Sequence, residues 1–281
     1  MTTQQFPGLD ATAIVDTRDA IHAYAQVLGD WRASCQPRRK HWWQITVYPS
    51  IRGLTTGMVQ AGIDFQLELD LRTDRLLGQV AGGGELSEPL GGRPATELAE
   101  IVESFLLGNG IDREFVPADK KRESHTPATP GYSPEIAATL GNALRSVNAA
   151  LGEFRAGIRE ETSPIQIWPH HFDLAMLWLP GEKIPGQDPN DEESSDKQMN
   201  FGFTFGDAGI PEPYFYVTAY PLPEAFASLS LPQGTTWRTE GFSGAVLLYR
   251  TLIETENPGG YLVSLWNSLL SAGRQHMLTN A

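Results

Sequence analysis

The hydrophobic and polar positions of the chain predict a series of helices and strands. Apolar positions recur every three or four residues from 17 to 33, which indicates a helix with one apolar face. Pro37 ends that helix. Between 65 and 80 apolar residues alternate with polar ones around a turn at Thr73 and Asp74. This alternation predicts a hairpin with one face toward solvent.

The same patterns predict the remaining elements. Further helices are expected over 94–107, 133–158, 244–254 and 259–274. Further strands are expected over 41–49, 113–116, 171–179, 201–207 and 213–221. We interpret 117–133 as an exposed connector and the acidic segment 181–198 as a mobile loop with too few apolar residues to pack.

This element order predicts an α+β fold with mostly antiparallel sheets and packed helices. Helix, strands and helix follow one another twice, so the fold has either two similar α-β-β-β-α halves or one continuous arrangement. We expect residues 1–281 to form a single compact domain, with 15–116 and 133–275 as candidate pseudo-repeats.

Composition and charge narrow the classes of function. The chain has 281 residues, 41% of them hydrophobic, and a net charge of -13. The negative charge argues against nucleic acid or an anionic membrane as a partner. No run approaches the ~20 apolar residues of a membrane helix, and the first residues do not form a signal peptide. With Cys35 as the single cysteine, we expect a cytoplasmic location and a small molecule as partner.

The segment WPHHFDLAMLW, residues 168–178, carries the strongest candidate chemistry. In a regular strand alternate side chains share a face, which places His171 beside Asp173 and His170 beside Phe172 on the other face. A bend at Pro169 would instead bring both histidines together.

A divalent metal is one interpretation of this pattern, because a histidine and a carboxylate two residues apart can hold adjacent coordination positions. His41 is the expected third ligand beside His171 and Asp173, since it opens the corresponding strand of the first half. The same three residues could instead perform acid-base catalysis without a metal. A third interpretation is a polar cluster that is hydrogen-bonded across the sheet.

Aromatic residues form a second candidate for a functional site. Such strand residues would line a concave binding site if alternate members faced Asp173, or they would be core and cross-strand pairs. The set comprises Trp42, Trp43, Trp168, Tyr214, Phe215 and Tyr216, with His170 and Phe172 beside it. The basic turn Arg38-Arg39-Lys40 could hold an anionic ligand near His41 or be solvated. FGFTFGD precedes no predicted helix, so it does not match a phosphate-binding loop, and no G-x-S-x-G segment occurs.

Three blocks, HWWQITVYPSIRGLTTG, SPIQIWPHHFDLAM and FGFTFGD with the following EPYFY, carry a family resemblance. In that order they resemble a bacterial family, domain of unknown function family 5996, over nearly the whole chain. The resemblance implies one continuous unit, and it implies that relatives keep the His-Trp-Trp and Phe-Asp-Leu segments but have a small or hydroxyl residue in place of His171. A metal site that needs His171 is therefore less favoured. The residues expected around a shared pocket are His41, Trp42, Trp168, Phe172 and Asp173.

Two main hypotheses follow for the function. One is an enzyme that acts on a small molecule, with or without a metal. The other is a noncatalytic protein that binds a small molecule. An interaction scaffold, which would expose a flat aromatic patch, is a third class.

Overall fold

The computed structural model describes residues 6–115 and 128–278, and these residues have an α+β fold with two antiparallel sheets. The helices are α1 (Val15–Cys35), α2 (Ala95–Gly108), α3 (Pro134–Ala156), α4 (Glu192–Ser195), α5 (Tyr249–Ile253) and α6 (Pro258–Met277), and Lys40–Trp42 and Glu224–Ser228 form 3-10 helices. The strands are β1 (Tyr48–Pro49), β2 (Gly53–Thr55), β3 (Phe65–Asp70), β4 (Arg75–Val80), β5 (Glu85–Pro89), β6 (Glu161–Thr162), β7 (Gln166–Trp168), β8 (Asp173–Leu179), β9 (Gln198–Thr204), β10 (Tyr214–Tyr220), β11 (Thr235–Arg238) and β12 (Gly244–Leu248). None of the helices in the described ranges is long and apolar enough to span a membrane.

The chain divides into two compact units. The N-terminal unit consists of Thr12–Arg145 and Gln166–Phe172. The C-terminal unit consists of 6–11, Ser146–Ile165 and 173–278. The division falls within α3 and again between Phe172 and Asp173. The single domain and the two pseudo-repeats remain predictions.

The N-terminal unit contains a sheet in which β1 to β5 are neighbours in chain order, all antiparallel. Along β3 the residues Phe65, Leu67 and Leu69 are buried, whereas the side chains between them are half-buried. Gly78 of β4 leaves room for Phe105 of α2, because a Cβ at position 78 would lie 2.8 Å from the phenyl ring. Helix α2 therefore packs on the apolar face of this sheet, as the alternation predicts.

The sheet of the C-terminal unit has the strand order β11-β12-β10-β9-β8-β6. One face forms the apolar core, where Phe203 of β9 lies 5.0 Å from Phe215 of β10 between ring centroids. Phe154 of α3 lies 4.8 Å from Phe201 and 5.5 Å from Trp266 of α6, so both helices cover this face. Period-two alternation therefore places Asp173, Gly202 and Tyr216 on the opposite face.

Most predicted helices and the hairpin are confirmed, but several boundaries are wrong. Residues 244–248 form the strand β12 rather than the start of a helix, because a short apolar run suits either element and here it pairs between two strands. Strands β2 and β5 were not predicted, and residues 113–115 are not a strand. Val116 and residues 117–127 of the predicted connector, including His125, lie outside the described residues.

The predicted strand over 41–49 is wrong except for β1. The side chains of Gln44 and Thr46 hydrogen-bond to nearby backbone at Arg39 and Trp43, at 3.0 Å each, and these local bonds favour a turn over a strand. The strand predicted over 171–179 begins only at Asp173, after a turn that contains both histidines.

The acidic segment 181–198 packs better than its composition suggests. Its second half contains α4, in which Glu192 and Ser195 are buried. Lys183 pairs with Asp196, and Lys197 pairs with Glu182 at 2.6 Å. These pairs join the two ends of the segment, so the expectation that it can hardly pack is wrong there, whereas its mobility remains a prediction.

Candidate functional site

The backbone around His41 is strained. His41 has φ 50° and Trp42 has φ 59°, a left-handed conformation that costs of order 1–3 kcal/mol for each residue that is not glycine. His41 is buried, and its carbonyl oxygen accepts a hydrogen bond from Nε1 of Trp168 at 3.2 Å. The structure therefore brings together two of the predicted site residues of the N-terminal unit.

A second strained turn follows Trp168. The backbone N–H groups of His171 and Phe172 both donate to the Trp168 carbonyl, at 3.3 and 2.9 Å, and Phe172 has φ 53°. His171 is exposed and His170 is half-buried, with 6.5 Å between their ring centroids. The prediction that strand alternation separates the two histidines is therefore wrong, because neither residue is in a strand.

His22 of α1 contacts this turn, although it was not predicted as a site residue. Its Nε2 lies 2.7 Å from the carbonyl oxygen of Pro169 and acts as the donor in the corresponding tautomer. Its ring stacks on Phe172 at 5.2 Å with an interplanar angle of 10°. Burial lowers the pKa of His22 below its ordinary value. Neutral His22 thus supports the strained conformation of Phe172.

The remaining predicted residues of this unit lie around the same backbone segments. Trp42 is partly exposed, with the guanidinium of Arg38 4.7 Å from its ring centroid. Trp43 is half-buried, with Lys40 Nζ at 5.0 Å and the His41 ring at 6.3 Å. These contacts place cations on aromatic faces, where the electron-rich ring attracts the positive charge and so stabilises the turn.

In the C-terminal unit, Asp173 and Tyr216 form a hydrogen-bonded pair. Asp173 begins β8 and is 8% exposed, and its Oδ2 accepts a short hydrogen bond from the Tyr216 hydroxyl. Tyr216 lies two strands away, in β10, and its cross-strand neighbour in β9 is Gly202. A Cβ at Gly202 would overlap the Tyr216 ring. The glycine therefore lets the tyrosine cross β9 and reach the carboxylate.

Burial, followed by the charge of Asp173 and the hydrogen bond to it, raises the pKa of Tyr216 well above its ordinary value. Tyr216 therefore stays protonated and remains a donor at physiological pH. The Nδ2 atom of Asn200 lies 3.4 Å from the same hydroxyl, and its buried Oδ1 has no hydrogen-bond partner among the residues that the structure describes. Asn200, Tyr216 and Asp173 form a line of polar groups across three strands.

A second pair of this kind, Tyr214 and Asp207, is built differently. Tyr214 donates to Oδ2 of Asp207 at 2.5 Å, and the N–H groups of Gly209 and Ile210 donate to Oδ1 at 2.6 and 2.9 Å. Burial acts to raise the pKa of Asp207, but these hydrogen bonds outweigh it and the pKa is lowered. Asp207 is thus an ionised residue that fixes a turn.

Aromatic rings surround the two tyrosines. Phe242 lies 6.4 Å from Tyr214 and 6.3 Å from Tyr216, and the guanidinium of Arg238 lies 5.7 Å from the Phe242 ring centroid. Tyr216 and Phe242 are only partly buried. We call Asp173, Asn200, Gly202, Tyr214 and Tyr216 the Asp173 face. Tyr214 and Tyr216 lie on the same side of the sheet as Asp173, whereas Phe215 is in the core.

The metal hypothesis receives no support from side-chain clustering. In the two described ranges, no three or more His, Cys, Asp and Glu side chains are grouped so that they could hold a metal ion. His41 and His171 belong to the N-terminal unit and Asp173 to the C-terminal unit. The predicted ligand set of these three residues remains a prediction.

A cavity of about 690 Å³ lies elsewhere, on the N-terminal sheet. It is lined by residues of β3, β4 and β5 together with Ser50, Ile51 and Arg52. None of the predicted site residues lines this cavity. Its lining includes Arg52, Glu68 and Glu85 but no aromatic side chain on which a ligand ring could stack.

Sequence reasoning missed four residues around these clusters: His22, Asn200, Gly202 and Asp207. The alternation of glycine with phenylalanine in FGFTFG was the available signal for Gly202. A glycine in a strand marks a place where another group approaches closely. The other three are identified only by the turns and strand register of the folded chain.

No curated protein and no solved structure matches the chain. The model of the family of unknown function DUF5996 matches residues 6–278, in agreement with the resemblance carried by the three sequence blocks, and the chain therefore belongs to this family.

Proposed function

We propose that the protein is an enzyme that binds a small molecule at the Asp173 face and transfers a proton with Asp173 as the base. The observation that carries this proposal is the hydrogen bond from Tyr216 to the buried carboxylate of Asp173. A buried carboxylate held by a neutral phenol is a costly arrangement, and such arrangements are concentrated at functional sites.

Each member of the pair has a distinct chemical role. The Asp173 carboxylate accepts a proton from the bound molecule, a step that a well-placed base accelerates by about 10²–10⁴-fold. The Tyr216 hydroxyl orients the carboxylate. Because its pKa is raised, Tyr216 keeps its own proton and acts only as a hydrogen-bond donor.

The aromatic rings beside the pair are the proposed binding surface. Phe242 and Tyr216 are partly buried and can still contact a ligand. The cation of Arg238 lies on Phe242 and would favour a ligand with a polar or negatively charged group. A flat molecule with an acidic C–H, N–H or O–H group fits this combination of rings and carboxylate.

Noncatalytic binding of a small molecule is the second candidate. The apolar cluster of Ile210, Tyr214 and Val246, with Tyr216, Phe242 and Leu248 packed against it, favours this alternative, because it offers ring and aliphatic contacts without any acid-base group. In that case Asp173 would fix the orientation of the ligand and no reaction would follow.

Neither candidate requires a metal, so metal assistance is not part of the proposal. We also propose the cytoplasm as the location, on the basis of the single cysteine. Fractionation of cells that produce the tagged full chain tests the location.

The functional proposal is tested by incubating the full chain with a mixture of cellular small molecules. Mass spectrometry then measures the molecules retained by the protein after desalting and the concentrations left in solution. An enzyme depletes one compound far beyond the protein concentration and forms a product, and Asp173→Asn abolishes both changes. A binder retains one compound at no more than about one molecule per chain, without product. If no compound is retained or converted, or if Asp173→Asn behaves as wild type, the proposal fails.

A further inference from the structure

The cations of the N-terminal unit are unevenly distributed. The chain has a net charge of -13, yet residues 31–63 contain five arginines and lysines and no aspartate or glutamate. The cations are Arg32, Arg38, Arg39, Lys40 and Arg52. A positive stretch of this length in an acidic protein creates a local field that favours anions.

Arg32 is the buried member of this set. It lies in the last turn of α1 and is 3% exposed. Its Nη1 donates to the carbonyl of Thr56, and its Nη2 lies 3.2 Å from the Tyr48 hydroxyl and 3.4 Å from the carbonyl of Trp43. The guanidinium carbon lies 5.0 Å from the centroid of the Tyr48 ring. Carbonyl oxygens and a phenol thus surround the cation.

No carboxylate in the part of the chain that the structure describes pairs with Arg32. Arg39 likewise forms no ion pair with a carboxylate in residues 6–115 or 128–278. The Nε–H of Arg32 is buried and has no hydrogen-bond partner within the same residues. A buried charge without a counter-charge destabilises a protein by several kcal/mol unless a bound anion supplies the missing charge.

The causes of the lowered Arg32 pKa agree with a cation that has no carboxylate partner among the described residues. Burial lowers the pKa of the Arg32 guanidinium, Tyr48 opposes this change, and the positive charge of Arg39 lowers the pKa further. The charged side chain that acts on the Arg32 guanidinium is therefore a second cation, Arg39. An anion held between the two guanidinium groups would offset this unfavourable interaction.

We propose that Arg32, Arg39 and Tyr48 form a binding site for a small oxyanion, such as the phosphate or carboxylate group of a metabolite. The Nε–H of Arg32 and the guanidinium of Arg39 are the proposed donors, since guanidinium N–H groups bind both phosphate and carboxylate oxygens. Tyr48 accepts a hydrogen bond from Arg32, and its O–H group is a donor that an anion could use. Arg39 is exposed and Tyr48 is half-buried, so solvent reaches both of these residues.

The proposed anion site does not depend on the reaction proposed at Asp173. It rests on residues of the N-terminal unit alone, and its test does not use a reaction. The sequence offered the basic turn Arg38-Arg39-Lys40 as an anion-binding segment. Lys40 and Arg38 instead lie on tryptophan rings. The buried Arg32, which precedes that turn, is the residue on which the proposed site is centred.

The experiment titrates the full chain with sodium phosphate and, separately, with sodium acetate, with sodium chloride at matched ionic strength as reference. The readout is the ¹⁵N–¹H signal of the Arg32 Nε–H group, which burial protects from exchange. Arg32→Lys assigns this signal by its loss. We expect a saturable shift that is about tenfold weaker in affinity in Arg39→Gln and unchanged in Arg52→Gln, whose arginine already faces Asp70 at 3.8 Å.

A response to phosphate, to acetate or to both supports the site and identifies the group that it prefers. The inference is overturned if neither salt shifts the signal, if sodium chloride gives the same shift, or if Arg39→Gln responds as wild type. Should Arg32→Lys fail to fold, the rise in thermal stability with phosphate or acetate is compared in wild type, Arg39→Gln and Arg52→Gln. Equal rises in all three then overturn the inference, and a rise reduced only in Arg39→Gln supports it.

Discussion

The Tyr216 hydroxyl donates a hydrogen bond to the Asp173 carboxylate from two strands away, across the surface of Gly202. The strand register aligns Gly202 with Tyr216 and with Ala175, so only small residues lie on this path. The pair is the centre of the proposed function, and its stability and its dependence on Gly202 can each be measured.

Tyr216→Phe should lower the free energy of unfolding by about 1–3 kcal/mol, because it removes a hydrogen bond to a buried charged group. Urea unfolding measures the difference. Tyr220→Phe is the matched control, since Tyr220 is 42% exposed and its substitution should change the free energy by no more than about 0.5 kcal/mol. Equal effects of the two substitutions would show that the Asp173 hydrogen bond contributes nothing to folding.

Gly202→Ala should lower the free energy of unfolding by about 1–3 kcal/mol, because the added methyl group overlaps the Tyr216 ring and forces the tyrosine from its position. Gly152→Ala in α3 is the control. A Cβ there meets no atom within 4 Å, so this substitution should stabilise the protein by about 0.5–1 kcal/mol. Chemical unfolding of both variants tests the contrast, and a neutral Gly202→Ala would contradict the described packing.

His22 should make the protein less stable in mild acid. Burial lowers its pKa in the folded state below the ordinary value of 6.5, so the unfolded chain binds the proton more readily. Its contribution to stability is therefore complete above about pH 6.5 and decreases as the pH falls through the folded pKa. Denaturant unfolding at pH 7.5 and 5.5 should show a smaller loss in His22→Gln than in wild type.

The exposed His171 supplies the control for that experiment. His171→Gln should keep the pH dependence of the wild type. If His22→Gln also keeps it, His22 is not the buried titrating group that its contacts with Pro169 and Phe172 imply.

Glu160 should stabilise the protein at neutral pH and cease to do so in strong acid. Two hydrogen bonds from Arg274, at 2.6 and 2.7 Å, are the main reason that its pKa is lowered to about 2. The stabilisation is complete above the ordinary value of 4.5 and is lost as the pH falls to about 2. A carboxyl ¹³C titration should give a pKa near 2 in wild type and a value near 4.5 in Arg274→Gln. The same high value in both proteins would contradict the pairing.

The sequence predicted the elements whose patterns are long, and it failed where local side-chain bonds compete with a strand. Helix α1 and the β3–β4 hairpin extend over many periods, so their apolar faces are unambiguous. The HWWQITVYPS segment contains the aromatic and β-branched residues of a strand, but its side-chain bonds to backbone and the left-handed His41 and Trp42 form a turn instead.

The candidate site was predictable only in part for a related reason. Period-two alternation placed Tyr214 and Tyr216 on one side of their strand, and Asp173 was already a candidate. The pairing of Asp173 with Tyr216 depends on strand register across β9, and register is fixed by the whole sheet rather than by any one segment. His22 was not predicted as a site residue because the turn that packs on it could not be recognised in the sequence.

The most direct test of the Asp173 site compares two carboxylates that each accept a hydrogen bond from a tyrosine on the same sheet. Wild type, Asp173→Asn and Asp207→Asn are each exposed to the cellular small-molecule mixture, and mass spectrometry measures the compound retained per folded molecule. We predict that Asp207→Asn retains the compound as wild type does and that Asp173→Asn loses it. Equal retention by the two variants, or loss in Asp207→Asn alone, would contradict the assignment of the site to Asp173.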